Sequence, residues 1–224
     1  MPPSPTEQPT IPYSYLVGLT LAKTIFRSAG AVLEGAHHVP RTGPALIVAN
    51  HQSFLDPLFV AMACPKRQVH YMAKEELFRV STSRHMMLGL GAFPVDRTGP
   101  TKATLGHVLS LLRDGRCVCL FAEGTRSKDG KLRDFQPGFA RLAKKTGTPV
   151  VPIALQGSRN LFEGIQGISL PIWSRIIGQA PPRLKVAEPI PPELPVDEIA
   201  QRAHQVVAGI LEEWNGPEAN PSTK

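Results

Sequence analysis

Short runs of apolar residues alternate with longer amphipathic segments along most of the chain. Several of the short runs are apolar at every position rather than at alternate ones, which indicates a sheet covered on both faces. The alternating order predicts an α/β domain with a mostly parallel sheet flanked by helices. The predicted strands are Ala45–Ala49, Val69–Ala73, Ala92–Val95, Cys117–Phe121, Val150–Leu155 and Leu184–Val186. The predicted helices are Pro57–Ala63, Ser81–Leu90, Thr101–Arg113, Pro137–Thr146 and Val196–Trp214.

An apolar stretch near the N-terminus, Ile11 to Ala22, is interrupted by Lys23 and Arg27. A membrane-spanning helix needs about 20 consecutive apolar residues, so we expect no transmembrane span. The first ten residues contain no basic residue, so we also expect no signal peptide. A helix from about Tyr13 to Ala29 could lie on a membrane surface, because its two cations are four positions apart and apolar residues cover the rest. A helix that simply packs on the domain is the alternative, and the sequence does not choose between them.

These patterns divide the chain into four parts. We expect a loose N-terminus over 1–10, an N-terminal helix within 11–31, one domain over 32–214 and a loose C-terminus over 215–224. The segment Leu161–Pro182 mixes glycine, proline and large apolar residues without clean periodicity. It could be a cap over a binding groove or an irregular packed segment, and we favour the packed segment.

The composition indicates a folded, basic protein. Its 224 residues are 42% hydrophobic and 19% charged, with a formal net charge of +7. Such a charge favours an anionic partner: a nucleic acid, an anionic bilayer or a phosphate-bearing substrate. Only 6% of the residues are aromatic and no run of lysine and arginine is present, which argues against nucleic acid.

The three cysteines do not form a disulfide or metal-ligand pattern. Their number is odd, and Cys117 and Cys119 stand one residue apart in an apolar run, with Cys64 far away. This usage indicates a reducing compartment and thiols that serve as small core residues.

Polar residues follow the strand Ala45–Ala49 directly, and they include His51 and Asp56. Ligands of open α/β sheets collect at the carboxyl ends of strands. A neutral imidazole can accept a hydroxyl proton near neutral pH, and a carboxylate on its other nitrogen would fix the tautomer. Taken alone, this spacing is a weak signal, and a loop histidine followed by an aspartate that caps a helix explains it better.

Three further predicted strands end in residues suited to phosphate. Phe93–Arg97 places an arginine just past a strand, and Phe121–Ser127 does the same with Arg126, where Gly124 permits a tight turn. Val151–Gly157 closes another strand. An arginine can bind phosphate with two parallel hydrogen bonds. Considered one at a time, however, Arg97 and Arg126 are better explained as members of surface ion pairs.

Together these segments resemble the four ordered blocks of the glycerolipid acyltransferase family, which includes the 1-acylglycerol-3-phosphate acyltransferases. Asn50–Asp56 is similar to the first block, Gly91–Arg97 to the second, Phe121–Ser127 to the third and Val151–Ala154 to the fourth. Tyr71–Phe78 resembles a family segment between the first two blocks. The resemblance covers roughly Val32 to Pro189, so 32–214 is expected to be an acyltransferase domain.

The resemblance implies a role for nine residues. His51 would be the general base and Asp56 its orienting partner. Arg97 and Arg126 would hold the phosphate of the acceptor, with Lys74 as a second phosphate contact. The residues expected to shape the acceptor pocket are Glu123, Gly124, Thr125 and Pro152. The chain departs from the family at Phe135–Gly138, where many members carry a basic residue before the glycine, so the acceptor head group stays open.

The implied reaction moves a fatty acyl group from an acyl thioester, either acyl-CoA or acyl-carrier protein, to a lysophospholipid, by default 1-acylglycerol-3-phosphate. No metal or bound cofactor is implied, and the expected location is peripheral, at the cytoplasmic face of an anionic membrane. Another lysolipid or a glycolipid could be the acceptor. A covalent route through Ser53 or a cysteine is less favoured, because a buried thiol has a raised pKa. A non-catalytic module that binds anionic lipid is the remaining alternative.

Overall fold

The computed structural model describes residues 11–96, 101–127, 129–161 and 180–216. Within these ranges the chain forms one seven-stranded sheet with the order β1-β7-β6-β2-β5-β3-β4. Neighbouring strands are parallel except for the antiparallel pair β6 and β7. The strands are β1 (Val32–Glu34), β2 (Ala45–Ala49), β3 (Val69–Lys74), β4 (Ala92–Val95), β5 (Cys117–Phe121), β6 (Val150–Gln156) and β7 (Arg183–Val186).

Helices cover both faces of the sheet. Along β2, Ile47 and Ala49 belong to one buried cluster, which α1 and α2 cover, while Leu46 and Val48 belong to another beneath α4, α5 and α6. This three-layer arrangement confirms the predicted α/β class and explains why β2 is apolar at every position. The helices are α1 (Tyr13–Ser28), α2 (Asp56–Ala63), α3 (Ser81–Gly89), α4 (Lys102–Arg113), α5 (Gly138–Thr146) and α6 (Val196–Asn215). Short 3-10 turns lie at Ala36–His38 and Glu75–Phe78.

Every predicted strand and helix is present, with ends that differ by one residue at most. The sequence did not predict β1, a three-residue edge strand that pairs with β7. Asn215, placed in the loose C-terminus, is the last residue of α6. The predicted loose N-terminus 1–10, the end of the chain from 217 and residues 162–179 of the predicted irregular segment lie outside the described residues.

Helix α1 packs on the domain through one stripe and exposes another. Tyr15, Leu19, Ala22 and Phe26 are buried, and the Phe26 ring stacks on Phe59 with centroids 4.2 Å apart. The opposite stripe exposes large apolar side chains: Tyr13, Leu16, Val17, Leu21 and Ile25. Helix α1 therefore packs on the domain, and contact of its exposed stripe with a membrane stays a prediction. In the described part of the chain, no helix combines the length and the apolar character that crossing a membrane requires.

A buried arginine fixes the edge of the sheet where β2 and β5 begin. The Arg67 guanidinium donates hydrogen bonds to the backbone carbonyls of Pro40, Gly43 and Gly115, which precede these two strands. Burial of the charge is tolerated because several donors are satisfied at once. The start of β2 is thereby held in register, which also sets where its other end emerges.

Candidate active site

The predicted base lies where parallel strands end side by side. His51 follows β2, Glu123 follows β5 and Ser158 follows β6, and these three strands are neighbours in the sheet. Parallel strands bring their carboxyl ends to one edge, which is the edge where ligands of open α/β sheets bind.

His51 and Asp56 form a hydrogen-bonded pair. His51 Nδ1 is 2.7 Å from Asp56 Oδ2. The same oxygen accepts the backbone N–H groups of Gln52 at 2.6 Å and Ser53 at 2.8 Å. The other oxygen, Oδ1, accepts the hydroxyl of Ser158 at 2.5 Å. A carboxylate that only accepts requires His51 Nδ1 to donate, which leaves Nε2 able to take a proton.

The His51 ring and backbone are held from three sides. The ring stacks on Phe121 with centroids 3.9 Å apart and planes 15° apart. The His51 backbone N–H donates to Glu123 Oε1 at 2.8 Å, and the His51 carbonyl accepts from the Ser127 N–H at 2.8 Å. Asp56 is fully buried, whereas 18% of the His51 side chain is exposed. The His51 ring is therefore held in place and still accessible.

Glu123 contacts the backbone of the base. Its side chain is 7% exposed. Burial raises the pKa of the Glu123 carboxyl above its ordinary value, and the hydrogen bond from the His51 N–H opposes this effect. The sequence assigned Glu123 to the acceptor pocket, and that role stays a prediction. Its contact to the His51 backbone could not be anticipated from the motif.

An arginine lies on an exposed aromatic ring beside the base. The Arg126 guanidinium carbon is 3.7 Å from the centroid of Phe54, which is 50% exposed. Within the described part of the chain, the Arg126 guanidinium makes no hydrogen bond or ion pair. Gly124 turns the chain with φ +70° and Thr125 is exposed. Arg126 can therefore offer its N–H groups to an anion near His51.

The remaining predicted residues lie farther from the base or outside the described residues. Lys74 is the exposed last residue of β3, two strands from β2 in the sheet. Pro152 is buried inside β6 opposite Val48, so it supports the sheet beneath the site. Arg97 lies outside the described residues. Their proposed roles stay predictions.

Sequence reasoning missed two residues that build the site. Ser158 binds Asp56, and Asn50 ties the end of β2 to β6. The Asn50 amide donates to the Leu155 carbonyl at 2.9 Å and accepts the Leu155 N–H at 2.8 Å. A signal for Ser158 was present, since it comes just after a strand predicted to end at the same edge.

The residues considered for a covalent route, Ser53 and the three cysteines, are all buried. The Ser53 hydroxyl accepts the Leu55 N–H at 3.2 Å and so stabilises the turn before α2. All three cysteines are free and buried, and burial raises the pKa of Cys119 well above its ordinary value. These contacts favour the histidine as the reacting group.

Comparisons with known proteins show which family the chain is similar to. Residues 31–156 match the family model described as Acyltransferase. The chloroplastic 1-acyl-sn-glycerol-3-phosphate acyltransferase LPAT1 of Arabidopsis thaliana is 36% identical over 61% of this chain and 39% of its own length. The 1-acyl-sn-glycerol-3-phosphate acyltransferase of Borreliella burgdorferi is 30% identical over 58% of this chain and 53% of its own. The matches thus span about half or less of these relatives.

One similar protein has a solved structure. The crystal structure of the 1-acyl-sn-glycerophosphate (LPA) acyltransferase PlsC from Thermotoga maritima aligns with a TM-score of 0.66 and 25% sequence identity. The alignment covers 90% of this chain and 82% of that one. The likeness in fold thus extends over most of both chains.

Proposed function

The chain belongs to the acyltransferase family, and we propose that it transfers a fatty acyl group from an acyl thioester to the hydroxyl of a lysophospholipid. The acceptor is 1-acylglycerol-3-phosphate and the product phosphatidic acid. The observation that carries the proposal is the His51–Asp56 pair at the carboxyl edge of the sheet, 2.7 Å apart, with Arg126 beside it. The names of the relatives support the choice of acceptor.

His51 performs the proton transfers in this reaction. Its Nε2 removes the proton from the acceptor hydroxyl as the oxygen attacks the thioester carbonyl carbon. A tetrahedral oxyanion forms, the carbon–sulfur bond breaks, and the proton passes from His51 to the departing thiolate. The Asp56 carboxylate stabilises the imidazolium between these steps, as the acid does in Ser-His-Asp enzymes. The ester and the free thiol are the products.

Arg126 recognises the phosphate of the acceptor. Its guanidinium is planar, permanently charged and stacked on Phe54, so the N–H groups at its edge are directed before the ligand arrives. Gly124 and Thr125 form the turn that carries it, with Glu123 beneath. Arg97, Lys74 and Pro152 complete the proposed acceptor pocket.

The exposed stripe of α1 docks on a membrane. Tyr13 is 82% and Leu21 60% exposed, although both side chains are largely apolar. Lys23 and Arg27 lie on the same helix, a composition typical of helices that bind the surface of anionic bilayers. We place this contact within 11–31, at the cytoplasmic face, which fits the three free cysteines.

Vesicle binding tests the membrane contact. Leu21→Glu should reduce co-sedimentation with phosphatidylglycerol vesicles, because it puts a carboxylate into the docking stripe. Leu105→Glu is the matched control, since Leu105 is 37% exposed on α4, beneath the other face of the sheet. If the two variants bind vesicles equally well, the exposed stripe of α1 does not contact the membrane.

Removal of the base tests the reaction. His51→Ala should lower release of free thiol from an acyl thioester in the presence of 1-acylglycerol-3-phosphate by about 100-fold or more, since general-base catalysis contributes roughly 10²–10⁴-fold. Binding of the acceptor should change little, because Arg126 is untouched. Near-wild-type turnover in this variant would contradict the mechanism.

A panel of acceptor lipids tests which of them receives the acyl group. One acyl thioester is offered with 1-acylglycerol-3-phosphate, other lysophospholipids and a glycolipid, and the products are identified by mass spectrometry. Selective formation of phosphatidic acid supports the proposal. Lipid binding by the wild type without thiol release for any acceptor would instead indicate a non-catalytic lipid-binding module.

A further inference from the structure

A cavity of about 250 Å³ lies at the edge of the sheet where β2 and β5 begin, and Cys64 is one of its lining residues. Arg67, which holds the starts of both strands, lines it as well. The described lining further includes His37, Arg41 and Lys66 and contains no acidic residue. The surroundings of Cys64 are therefore electropositive, and none of these residues takes part in the chemistry proposed above.

A second thiol, that of Cys117, lies against Cys64. Helix α2 begins at the candidate active site, so Cys64 at its C-terminal end approaches the opposite edge of the sheet, where Cys117 begins β5. Both side chains belong to the buried cluster under α1 and α2, and they interact directly with each other. The Arg67 N–H donates to the Cys64 carbonyl at 3.1 Å, and its guanidinium donates to the Gly115 carbonyl at 2.8 Å. Arg67 thus ties together the two segments that carry these thiols.

The third thiol, that of Cys119, has a different setting. It points to the same face of the sheet as Cys117 but lies about 7 Å farther along β5. Burial is the main cause that raises the pKa of Cys119 well above its ordinary value. The interaction with Cys64 instead lowers the pKa of Cys117, and the charge of Arg67 acts in the same direction, although burial opposes both. The same interaction, together with burial, raises the pKa of Cys64. A protonated thiol therefore lies beside one that ionises more readily, and the ionised form is the one that attacks an oxidant.

We propose that Cys64 and Cys117 are a redox-active pair that hydrogen peroxide converts to a disulfide. The thiolate of one cysteine attacks a peroxide oxygen, the O–O bond breaks, and the hydroxide released takes up a proton to leave as water. The sulfur of the second cysteine then attacks the sulfenic acid, the S–O bond breaks, and a second water leaves. The two sulfurs lose two electrons and the peroxide gains them. This pair does not depend on the proposed acyl transfer.

The disulfide would join two elements that carry parts of the candidate site at their other ends. Asp56 begins α2, and Phe121, which stacks on the His51 ring, ends β5. A disulfide restricts the conformations of the unfolded chain, so the oxidised protein should melt about 4–16 °C higher than the reduced protein. The pair therefore acts as a covalent brace that forms under oxidising conditions.

Peptide mapping of the wild-type protein tests the pair. The folded protein is treated with hydrogen peroxide, the remaining thiols are alkylated in urea, and the chain is digested with trypsin. We expect two peptides joined through Cys64 and Cys117, two hydrogens lighter than the sum of the separate peptides, and one alkylated thiol per chain. Trypsin leaves Cys117 and Cys119 on one peptide, so fragmentation of the linked product must identify the sulfur that forms the bond. Dithiothreitol should restore all three free thiols.

Variants give the matched comparison. Cys117→Ala should abolish the link, whereas Cys119→Ala, which removes another buried thiol from the same strand, should keep it. The Tm of the wild type and of Cys119→Ala should rise on oxidation and return with dithiothreitol. The Tm of Cys64→Ala should not respond. The map of the wild type does not depend on how well these variants fold.

Four results would overturn the redox pair. They are three thiols that stay free after peroxide treatment, a link through Cys119, links between molecules only, and sulfinic or sulfonic acids without a disulfide. If the linked protein melts no higher than the reduced protein, the disulfide does not stabilise the fold and the brace is refuted. Because these measurements follow thiols and melting, loss of the proposed acyl transfer would leave them unchanged.

Discussion

Replacement of Ser158 by alanine removes one of the four hydrogen bonds that described residues donate to the buried Asp56 carboxylate. The Ser158 hydroxyl donates to Oδ1, whereas the other three donors, His51 Nδ1 and the N–H groups of Gln52 and Ser53, all reach Oδ2. Asp56 is fully buried, so water cannot readily take the place of the hydroxyl. A hydrogen bond to a charged group contributes about 1.5–3 kcal/mol. Ser158→Ala should lower the free energy of unfolding by that amount.

The expected shift in melting temperature follows from the size of the chain. A change of 1 kcal/mol moves Tm by about 2–4 °C in domains of 150–250 residues, so Ser158→Ala should melt about 3–12 °C lower. Turnover should fall by less than the roughly 100-fold expected without the base, because Oδ2 keeps its bond to His51. Calorimetry and the thiol-release assay measure the two effects.

The matched control is Ser28→Ala on α1, where an exposed hydroxyl donates to the Thr24 carbonyl at 2.8 Å. Water replaces that bond, so the variant should stay within about 0.5 kcal/mol of the wild type. If Ser158→Ala is as mild as this control, the hydroxyl does not stabilise the buried carboxylate, and the account of the Asp56 environment is wrong.

Three further substitutions test other parts of the molecule. Phe54→Leu should raise KM for 1-acylglycerol-3-phosphate about two- to fivefold in steady-state kinetics and leave a neutral monoacylglycerol unaffected, because a cation–π contact to Arg126 is worth about 0.5–1 kcal/mol. Burial lowers the pKa of His70 to about 4, so between pH 6.5 and 4 only the unfolded chain gains the proton and stability falls as the pH falls. His70→Gln should flatten this dependence in urea unfolding. Gly35→Ala should cost about 2 kcal/mol or more in thermal unfolding, since φ is +69° and a Cβ would clash with the Val186 carbonyl.

The local pattern of apolar and polar residues was enough to predict most of the strands and helices. The bounds of β2, β4 and β5 agree with the predicted runs because each run is apolar and ends at a polar residue or a turn. Strand β1 was missed because two of its three residues are exposed and only Leu33 is half-buried. It is a strand through its pairing with β7, about 150 positions later, and local pattern carries no information on such a partner.

The candidate site, like the fold, has one part that local spacing predicts and another part that depends on residues far away in the sequence. The spacing of His51 and Asp56 predicted a pair, since both lie in one turn between a strand and a helix. The hydrogen bonds from Ser158 to Asp56 and from the His51 backbone to Glu123 join residues 102 and 72 positions apart. Only the strand order makes them neighbours, and a single sequence gives that order poorly.

The position of His51, the proposed base, depends on the register of the sheet as well as on its own loop. Asn50 ties the end of β2 to Leu155 of β6, Glu123 holds the His51 backbone from beyond β5, and Ser158 holds Asp56 from beyond β6. Each contact joins neighbouring strand ends, so its length is set where the strands pair. A shift of one residue would also turn the side chains of a strand to the opposite face. Strand pairing and the geometry of the candidate site are therefore the same constraint, and the buried Pro152 contributes to it by pairing with Val48 of β2.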